Sequence, residues 1–263
     1  MPKFSANLTM MFNEVDFLDR FSRASKAGFK AVECMFPYDW PKDQLADALK
    51  QNGLKQVLHN LPAGDWAKGD RGIACHPDRK TEFKDSVGLA IEYAKALECP
   101  NLNCLAGITP PGVSQETIRE TVVNNLKFAA AALEKEGLRL LVEALNHEAM
   151  PGFYLVHTED AIRLLDEVNH SNIWFQYDVY HMQIMEGRLI QTISKNISRI
   201  AHIQIADVPG RNEPGTGEIN FTNVFDAIDK SGYSGWIGCE YIPAGKTEDG
   251  LGWIEPYLER GDD

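Results

Sequence analysis

Four short apolar runs in the second half of the chain each finish on, or beside, a group that can hold a cation or carry a proton. LRLLVE ends at Glu143 and IWFQYD at Asp178. IAHIQI carries Gln204 just before its end, and WIGCE ends at Glu240. If these runs are parallel strands, three carboxylates and an amide converge on one rim. Gathering three negative charges costs several kcal/mol unless a cation or a proton is shared among them. A divalent metal answers that cost. An all-oxygen set of Glu143, Asp178, Gln204 and Glu240 favours Mg²⁺ or Mn²⁺ over zinc, which prefers His or Cys. Any one of these carboxylates can equally be a helix N-cap or a loop ion-pair partner; the succession of four points to a centre.

Other residues can serve such a centre. His181 lies three residues beyond Asp178 in DVYH, within reach of a ligand on the turn leaving the strand. His59 ends the run Lys55–His59 and is expected to line the pocket. His202 shares a strand face with Gln204 and reads as a hydrogen-bonded core residue. His147, His157 and His170 read as surface or loop residues. The turn-rich stretch Asp207–Asn220 (DVPGRNEPGTGEIN) has one cation, Arg211. Its guanidinium suits a substrate carboxylate or hydroxyl pair, unless Glu213 or Glu218 neutralises it. The long segment Asn60–Ala74 (NLPAGDWAKGDRGIA) has the length of a lid. There Trp66 can exclude water, and Lys68 and Arg71 offer positive charge. Phe12, Phe36 and Tyr38 follow the first two strand candidates and can wall an apolar pocket.

Positioning these groups requires a repeating framework, and the chain alternates accordingly. Strand-like runs are read at Lys3–Leu8, Lys30–Met35, Lys55–His59 and Asn101–Leu105. Four more follow at Leu138–Glu143, Ile173–Asp178, Ile200–Ile205 and Trp236–Glu240. Helical periodicity fills the gaps. It runs at Phe17–Ala27, from Pro41 to Asn52–Gly53, from about Asp78 to Leu97, and at Gln115–Glu136. It returns at Thr158–Glu167, Gly187–Lys195, Phe221–Lys230 and Leu251–Leu258. Ser114 is a partial N-cap signal, since Thr117 stands where a capping box wants Glu or Gln. Eight βα units of about 30 residues predict a single (β/α)₈ TIM barrel spanning 1–263. A doubly wound sheet would want a Gly-rich phosphate turn after its first strand, but Thr9-Met10-Met11-Phe12 stands there. Gly261-Asp262-Asp263 is expected to fray.

Composition narrows the partners. Lys and Arg number 26 against 38 Asp and Glu, a formal net charge of -12. That argues against a nucleic-acid or anionic-membrane surface, which needs clustered cations. A three-zinc DNA-repair endonuclease on the same barrel would also need more than the 7 His present at its strand ends. MPKFSANL lacks the apolar core of a signal peptide, and no apolar stretch is long enough to span a bilayer. Five Cys without CxxC pairing read as reduced thiols of a cytoplasmic protein. A homo-oligomer is left open.

The chain resembles the hydroxypyruvate isomerases, within the wider xylose-isomerase-like TIM barrels that include ketose 3-epimerases. The likeness runs through FSANLTMMF, AVECMFPYDW, LHNLPAGDWAKGDRGIA, LNCLAG, LVEALN, QYDVYHMQIMEG, HIQIADVPGRNEPGTGEIN and GWIGCEY. It implies a divalent metal on Glu143, Asp178, Gln204 and Glu240, with Glu143 and Glu240 as the acid/base pair. The wider family more often has His where Gln204 stands. The implied substrate is a small anionic hydroxy-keto acid, with hydroxypyruvate and tartronate semialdehyde interconverted through an enediolate. A 2-oxo-tetronate isomerase and a ketose 3-epimerase are the enzymatic alternatives. A barrel that binds a sugar acid without turnover is the non-enzymatic one.

Overall fold

A computed structural model describes residues 1–258, so the expected fraying of Gly261–Asp263 lies outside the described residues. The chain order is β1 (Lys3–Asn7), α1 (Phe17–Lys26), β2 (Ala31–Glu33), α2 (Lys42–Asn52), β3 (Lys55–Asn60) and α3 (Lys80–Ala96). Then come β4 (Asn101–Cys104), α4 (Gln115–Lys135), β5 (Arg139–Glu143), α5 (Thr158–Val168), β6 (Ile173–Asp178) and α6 (Val179–Met185). The last elements are α7 (Leu189–Asn196), β7 (Ile200–Ile205), α8 (Phe221–Lys230), β8 (Trp236–Cys239) and α9 (Glu255–Leu258). All eight strands pair in parallel with their sequence neighbours, and β1 pairs with β8, giving a closed (β/α)₈ TIM barrel.

The helices form for local reasons. In α8, Phe221, Val224, Phe225 and Ile228 are buried at the spacing of one helical face. Ser114 caps α4: its Oγ accepts the Thr117 N–H at 3.1 Å, so the incomplete capping signal suffices. Helix α2 stops at Gly53 and α5 at Asn169, both left-handed (φ 62° and 46°), the conformation that ends helices where Gly or Asn stands. The predicted closing helix Leu251–Leu258 divides into a 3-10 stretch, Thr247–Trp253, and the short α9. Helix α6 escaped the sequence reading. It follows β6 with no intervening loop, and nothing in VYHMQIM punctuates the change of period.

Inside the barrel, a small apolar plug of Leu58, Leu141 and Ala201, with Trp174 against it, lies below the strand ends. Above it the inward positions are polar. β1 contributes Ser5 and Asn7, β2 Glu33, β4 Asn103, β5 Glu143, β6 Gln176 and Asp178, and β7 His202 and Gln204. Gly238 of β8 makes room for this layer: a Cβ there would lie 2.4 Å from the Glu33 carboxylate oxygens. The Glu33 carboxylate accepts from Ser5 Oγ (2.9 Å), Asn7 Nδ2 (3.1 Å) and Gln204 Nε2 (2.8 Å), and pairs with His202 Nε2 (2.8 Å). Burial alone would raise its pKa, but His202, Gln204 and Ser5 bring it below the ordinary carboxylate value. A charged, fully bonded group therefore underlies the rim.

Candidate active site

Three of the four groups read from the sequence converge, Glu143, Asp178 and Glu240, and His181 joins them. Ligand atoms of Glu143, Asp178, His181 and Glu240 all lie within 4.8 Å of one another, and all four residues are buried. The three carboxylates are delivered by strand ends. Glu143 closes β5, Asp178 closes β6, and Glu240 is the residue after β8. His181 sits in the first turn of α6, oriented by Asp178 itself. Asp178 Oδ1 accepts the Tyr180 and His181 N–H groups (2.7 and 3.1 Å), capping α6 and leaving Oδ2 on the cluster side, 3.9 Å from His181 Nε2.

The electrostatics follow from crowding. Glu143 Oε2 accepts from Asn103 Nδ2 at 2.9 Å, while its Oε1 is buried without a partner. Burial, then the charges of Glu240 and Asp178, push the Glu143 pKa well above the usual carboxylate range. Glu240 Oε1 accepts from Asn7 and Gln204 (both 3.2 Å), and Oε2 pairs with Arg211 Nη2 at 2.7 Å. Burial still pushes Glu240 up to about 8, with Arg211 opposing and Asp178 and Glu33 adding to the rise.

His181 is fixed as a neutral donor. Asn146 Oδ1 accepts the Ala149 N–H at 2.7 Å, so the Asn146 NH₂ must be the group beside His181 Nδ1, at 2.8 Å. The Asn146 backbone N–H reaches the same Nδ1 at 3.1 Å. With Nδ1 accepting, the single proton of a neutral ring resides on Nε2 and faces the cluster. Burial lowers the His181 pKa to about 4, which keeps the ring neutral. His181 therefore presents an N–H, suited to a substrate oxygen, rather than a lone pair suited to a metal.

Gln204 stands otherwise than the sequence suggested. Its Oε1 accepts from Gln176 Nε2 at 2.6 Å, and its NH₂ faces Glu33 and Glu240. Half a turn about its last torsion is needed before its oxygen faces the carboxylates.

Among the remaining candidates, Arg211 is at the cluster and the others are not joined to it. His59 is a correction. Its neighbour Asn60 bonds inward to Asn103 (3.2 Å), so strand alternation turns His59 to the outer face, edge-on to Tyr38 with ring centroids 6.0 Å apart. There burial lowers its pKa to about 3, and neither ring nitrogen has a hydrogen-bond partner. In the long loop, the Arg71 guanidinium stacks 4.1 Å over Trp66, and Trp66 packs against Phe36 at 5.2 Å. The Lys68 side chain is 83% exposed and pairs with Asp65. Among the described residues, no hydrogen bond or ion pair joins Trp66, Lys68 or Arg71 to the carboxylates. This loop is anchored rather than free: Gly72 N–H bonds Ala63 O (3.0 Å), and Cys75 N–H bonds Ala106 O (2.9 Å). Gly72 must stay glycine, because a Cβ would meet Leu105 O at 2.1 Å.

The residues that sequence reasoning missed are Asn7, Glu33, Asn103 and Asn146. Glu33 did carry a signal: AVE in AVECMF has the form of LVE in LVEALN. The signal is masked because the run Lys30–Met35 continues beyond it.

Residues 21–257 match the family model for the xylose isomerase-like TIM barrel. The chain is 53% identical over 257 residues to the hydroxypyruvate isomerase of Escherichia coli (strain K12), covering 98% of this chain and 100% of that protein. It is 46% identical to the 2-oxo-tetronate isomerase of Pectobacterium atrosepticum, covering 99% of each. Among solved structures, one described as AP endonuclease, family 2, from Brucella melitensis superposes with a TM-score of 0.96 at 48% identity, covering 98% of this chain and 99% of that one. The 3-keto-D-glucoside 4-epimerase of E. coli, at TM-score 0.80 and 20% identity over 97% of this chain and 99% of that one, shares the fold. The chain belongs to the hydroxypyruvate isomerase family of xylose isomerase-like TIM barrels, and it is an isomerase.

Proposed function

We propose that the protein interconverts hydroxypyruvate and tartronate semialdehyde, with Glu143 and Glu240 as the acid/base pair and Mg²⁺ or Mn²⁺ at the carboxylate cluster. One observation carries this reading. Two buried glutamates meet in one site, both with proton affinity raised by burial and Glu240 pushed up to about 8, so the pair is equipped to exchange protons with a substrate. The full-length likeness to a relative named for hydroxypyruvate supports the substrate.

The donor set fits a hard divalent cation. Three carboxylates share the site with the Arg211 guanidinium, and Glu143 Oε1 is buried with no donor. Glu143, Asp178 and Glu240 would hold the metal, joined by Gln204 once its amide turns. The bound cation supplies electrostatic stabilisation of oxyanion charge.

Hydroxypyruvate has a ketone between CH₂OH and a carboxylate. One glutamate removes a C3 proton, leaving an enediolate, and the other glutamate delivers a proton to C2. The C3 hydroxyl proton ends on the C2 oxygen, which yields the aldehyde with no net change in composition. His181 Nε2–H donates to a substrate oxygen without surrendering its proton to a neighbouring carboxylate. Arg211 offers its remaining N–H groups to the substrate carboxylate. The anchored loop carrying Trp66 walls the mouth against water, which would protonate the enediolate.

A second reading, isomerisation of 2-oxo-tetronate, is favoured by the 46% identity to a relative of that name. Turnover is measured on hydroxypyruvate, 2-oxo-tetronate and a ketose with Mn²⁺ present. The highest kcat/KM on hydroxypyruvate supports the first reading, and on 2-oxo-tetronate the second. A preference for the ketose overturns both in favour of epimerase chemistry. Binding without turnover of any of them leaves a sensor.

A further inference from the structure

The segment after β7 is organised around one carboxylate. Asp207 is buried, and its Oδ1 accepts the N–H groups of Val208 (2.9 Å) and Ile219 (3.0 Å). Its Oδ2 accepts those of Gly215 (3.0 Å) and Gly217 (2.9 Å). The Asp207 backbone closes the same turn: its N–H bonds Asn212 O (2.8 Å), and its carbonyl accepts the Arg211 N–H (2.9 Å). Among the described residues no Lys, Arg or His pairs with this carboxylate. Four backbone N–H groups replace its water shell, and a carboxylate is the side chain that can accept four such bonds at once. Gly217 is part of the device, because a Cβ there would meet Val208 O at 2.0 Å and Asp207 Oδ1 at 2.7 Å.

The opposite side of the loop is tied to the segment that follows Glu240. Arg211 O accepts the Ile242 N–H at 2.8 Å, and Asn212 Nδ2 donates to Ile242 O at 2.8 Å. Glu213 Oε2 accepts the Ala244 N–H at 3.0 Å. Between these two attachments Arg211 is held with a left-handed backbone (φ 55°), a conformation that a non-glycine residue keeps only when its surroundings impose it. The result aims its guanidinium at Glu240 and across the Tyr180 ring, 5.0 Å from the ring centroid.

We propose that Asp207 is a positioning residue: its carboxylate gathers the loop's backbone N–H groups and thereby fixes Arg211 at the active-site mouth. This rests on the reading of Arg211 as the group that meets the substrate carboxylate. Asp207→Asn keeps the size but replaces one accepting oxygen with an NH₂ that faces two N–H donors, so one side of the loop must open.

The test has two readouts. In Asp207→Asn the KM for hydroxypyruvate should rise at least tenfold, with kcat falling by no more than a few-fold and Mn²⁺ affinity unchanged. Added to Arg211→Ala, Asp207→Asn should raise KM little further, because the two act through one group. Independently of activity, the guanidinium N–H signal of Arg211, assigned in NMR spectra by its loss in Arg211→Lys, should exchange with solvent at least tenfold faster in Asp207→Asn. Wild-type exchange in Asp207→Asn overturns the proposal, and so do effects on KM that simply multiply in the double variant. If Arg211→Ala leaves KM unchanged, the carboxylate reading of Arg211 falls, and the exchange rate alone decides on Asp207. If Asp207→Asn does not fold, Gly217→Ala carries the same test with the carboxylate intact. It pushes the loop from Val208 and should give the same exchange and KM changes; wild-type behaviour there overturns the proposal.

Discussion

Arg211 and Glu240 meet at 2.7 Å, Nη2 to Oε2, with side chains only 16% and 8% exposed. Neither charge has water enough to stand alone. Burial acts against the Arg211 charge, but Glu240, Asp178 and Glu143 together raise its pKa above the ordinary value. Glu240 gains less. Its burial outweighs the guanidinium, so a group that is half of an ion pair still titrates near neutral pH, at about 8. That places it where a proton acceptor in one direction can be a proton donor in the other. One arginine thus tunes the proposed acid/base group and, on the same proposal, has its other N–H groups for an anion.

Removing that arginine should therefore change two quantities. Arg211→Lys retains charge without the planar fork, and a higher KM for hydroxypyruvate is expected; Arg211→Ala should raise it further. The guanidinium lowers the Glu240 pKa, so its loss should move the Glu240 limb of the kcat/KM profile to higher pH. Wild-type KM and an unmoved limb in both variants would leave Arg211 a purely structural ion-pair partner.

Glu143→Gln and Glu240→Gln should each lower kcat by about 10²–10⁴-fold, the usual contribution of a positioned acid or base. Stability should move the other way in Glu143→Gln. Its carboxylate is crowded by Glu240 and Asp178. The folded state must take up a proton there, a cost that a neutral amide avoids, and the metal-free variant should melt above the wild type at neutral pH. Metal content has to be measured beside turnover, since both glutamates face the proposed cation. Near wild-type kcat in either variant would remove that residue from the acid/base pair.

Chelation should abolish turnover, and Mg²⁺ or Mn²⁺ should restore it. A ligand at 100 times its Kd stabilises the folded state by about 2.7 kcal/mol, so a raised melting temperature with metal is expected. Asp178→Asn separates two roles. Asn caps a helix as well as Asp does, so α6 and His181 should keep their places while the metal-dependent rise in melting temperature shrinks. Full activity in verified metal-free protein would sink the metal reading.

What the sequence discloses here is governed by alternation. The barrel was legible because its strands are short apolar runs separated by helices with stripes such as Phe221, Val224, Phe225 and Ile228. Glu143, Asp178 and Glu240 were legible because a carboxylate closing an apolar run is unusual, and three among four successive runs are more so. The arrangement around them was hidden. Whether His59 or Asn60 faces inward depends on strand phase, and a one-residue error exchanges the barrel lumen for the helix layer. The donor role of His181 depends on Asn146, 35 positions away. The Gln204 amide takes its orientation from Glu33 across the barrel, 171 positions away. Pairings of that range leave no local trace.

His59 supplies a test of the fold apart from the chemistry. It is completely buried, and both ring nitrogens lack partners, so protonation is resisted and its pKa falls to about 3. The unfolded chain binds the proton near the ordinary value of about 6.5. Between those values the unfolded state carries a proton that the folded state refuses. This contribution to stability is therefore fully present above about pH 6.5 and declines as pH falls towards 3, at about 1.4 kcal/mol per unit. By pH 5 the loss is about 2 kcal/mol. His59→Leu has nothing to protonate and leaves no orphaned nitrogen in the helix layer. It should melt at or above the wild type at pH 7.5, with the difference widening at pH 5, while kcat and KM on hydroxypyruvate stay unchanged. A variant whose melting temperature falls as steeply with acid as the wild type would show that His59 is not the group that titrates. A raised KM would return it to the pocket.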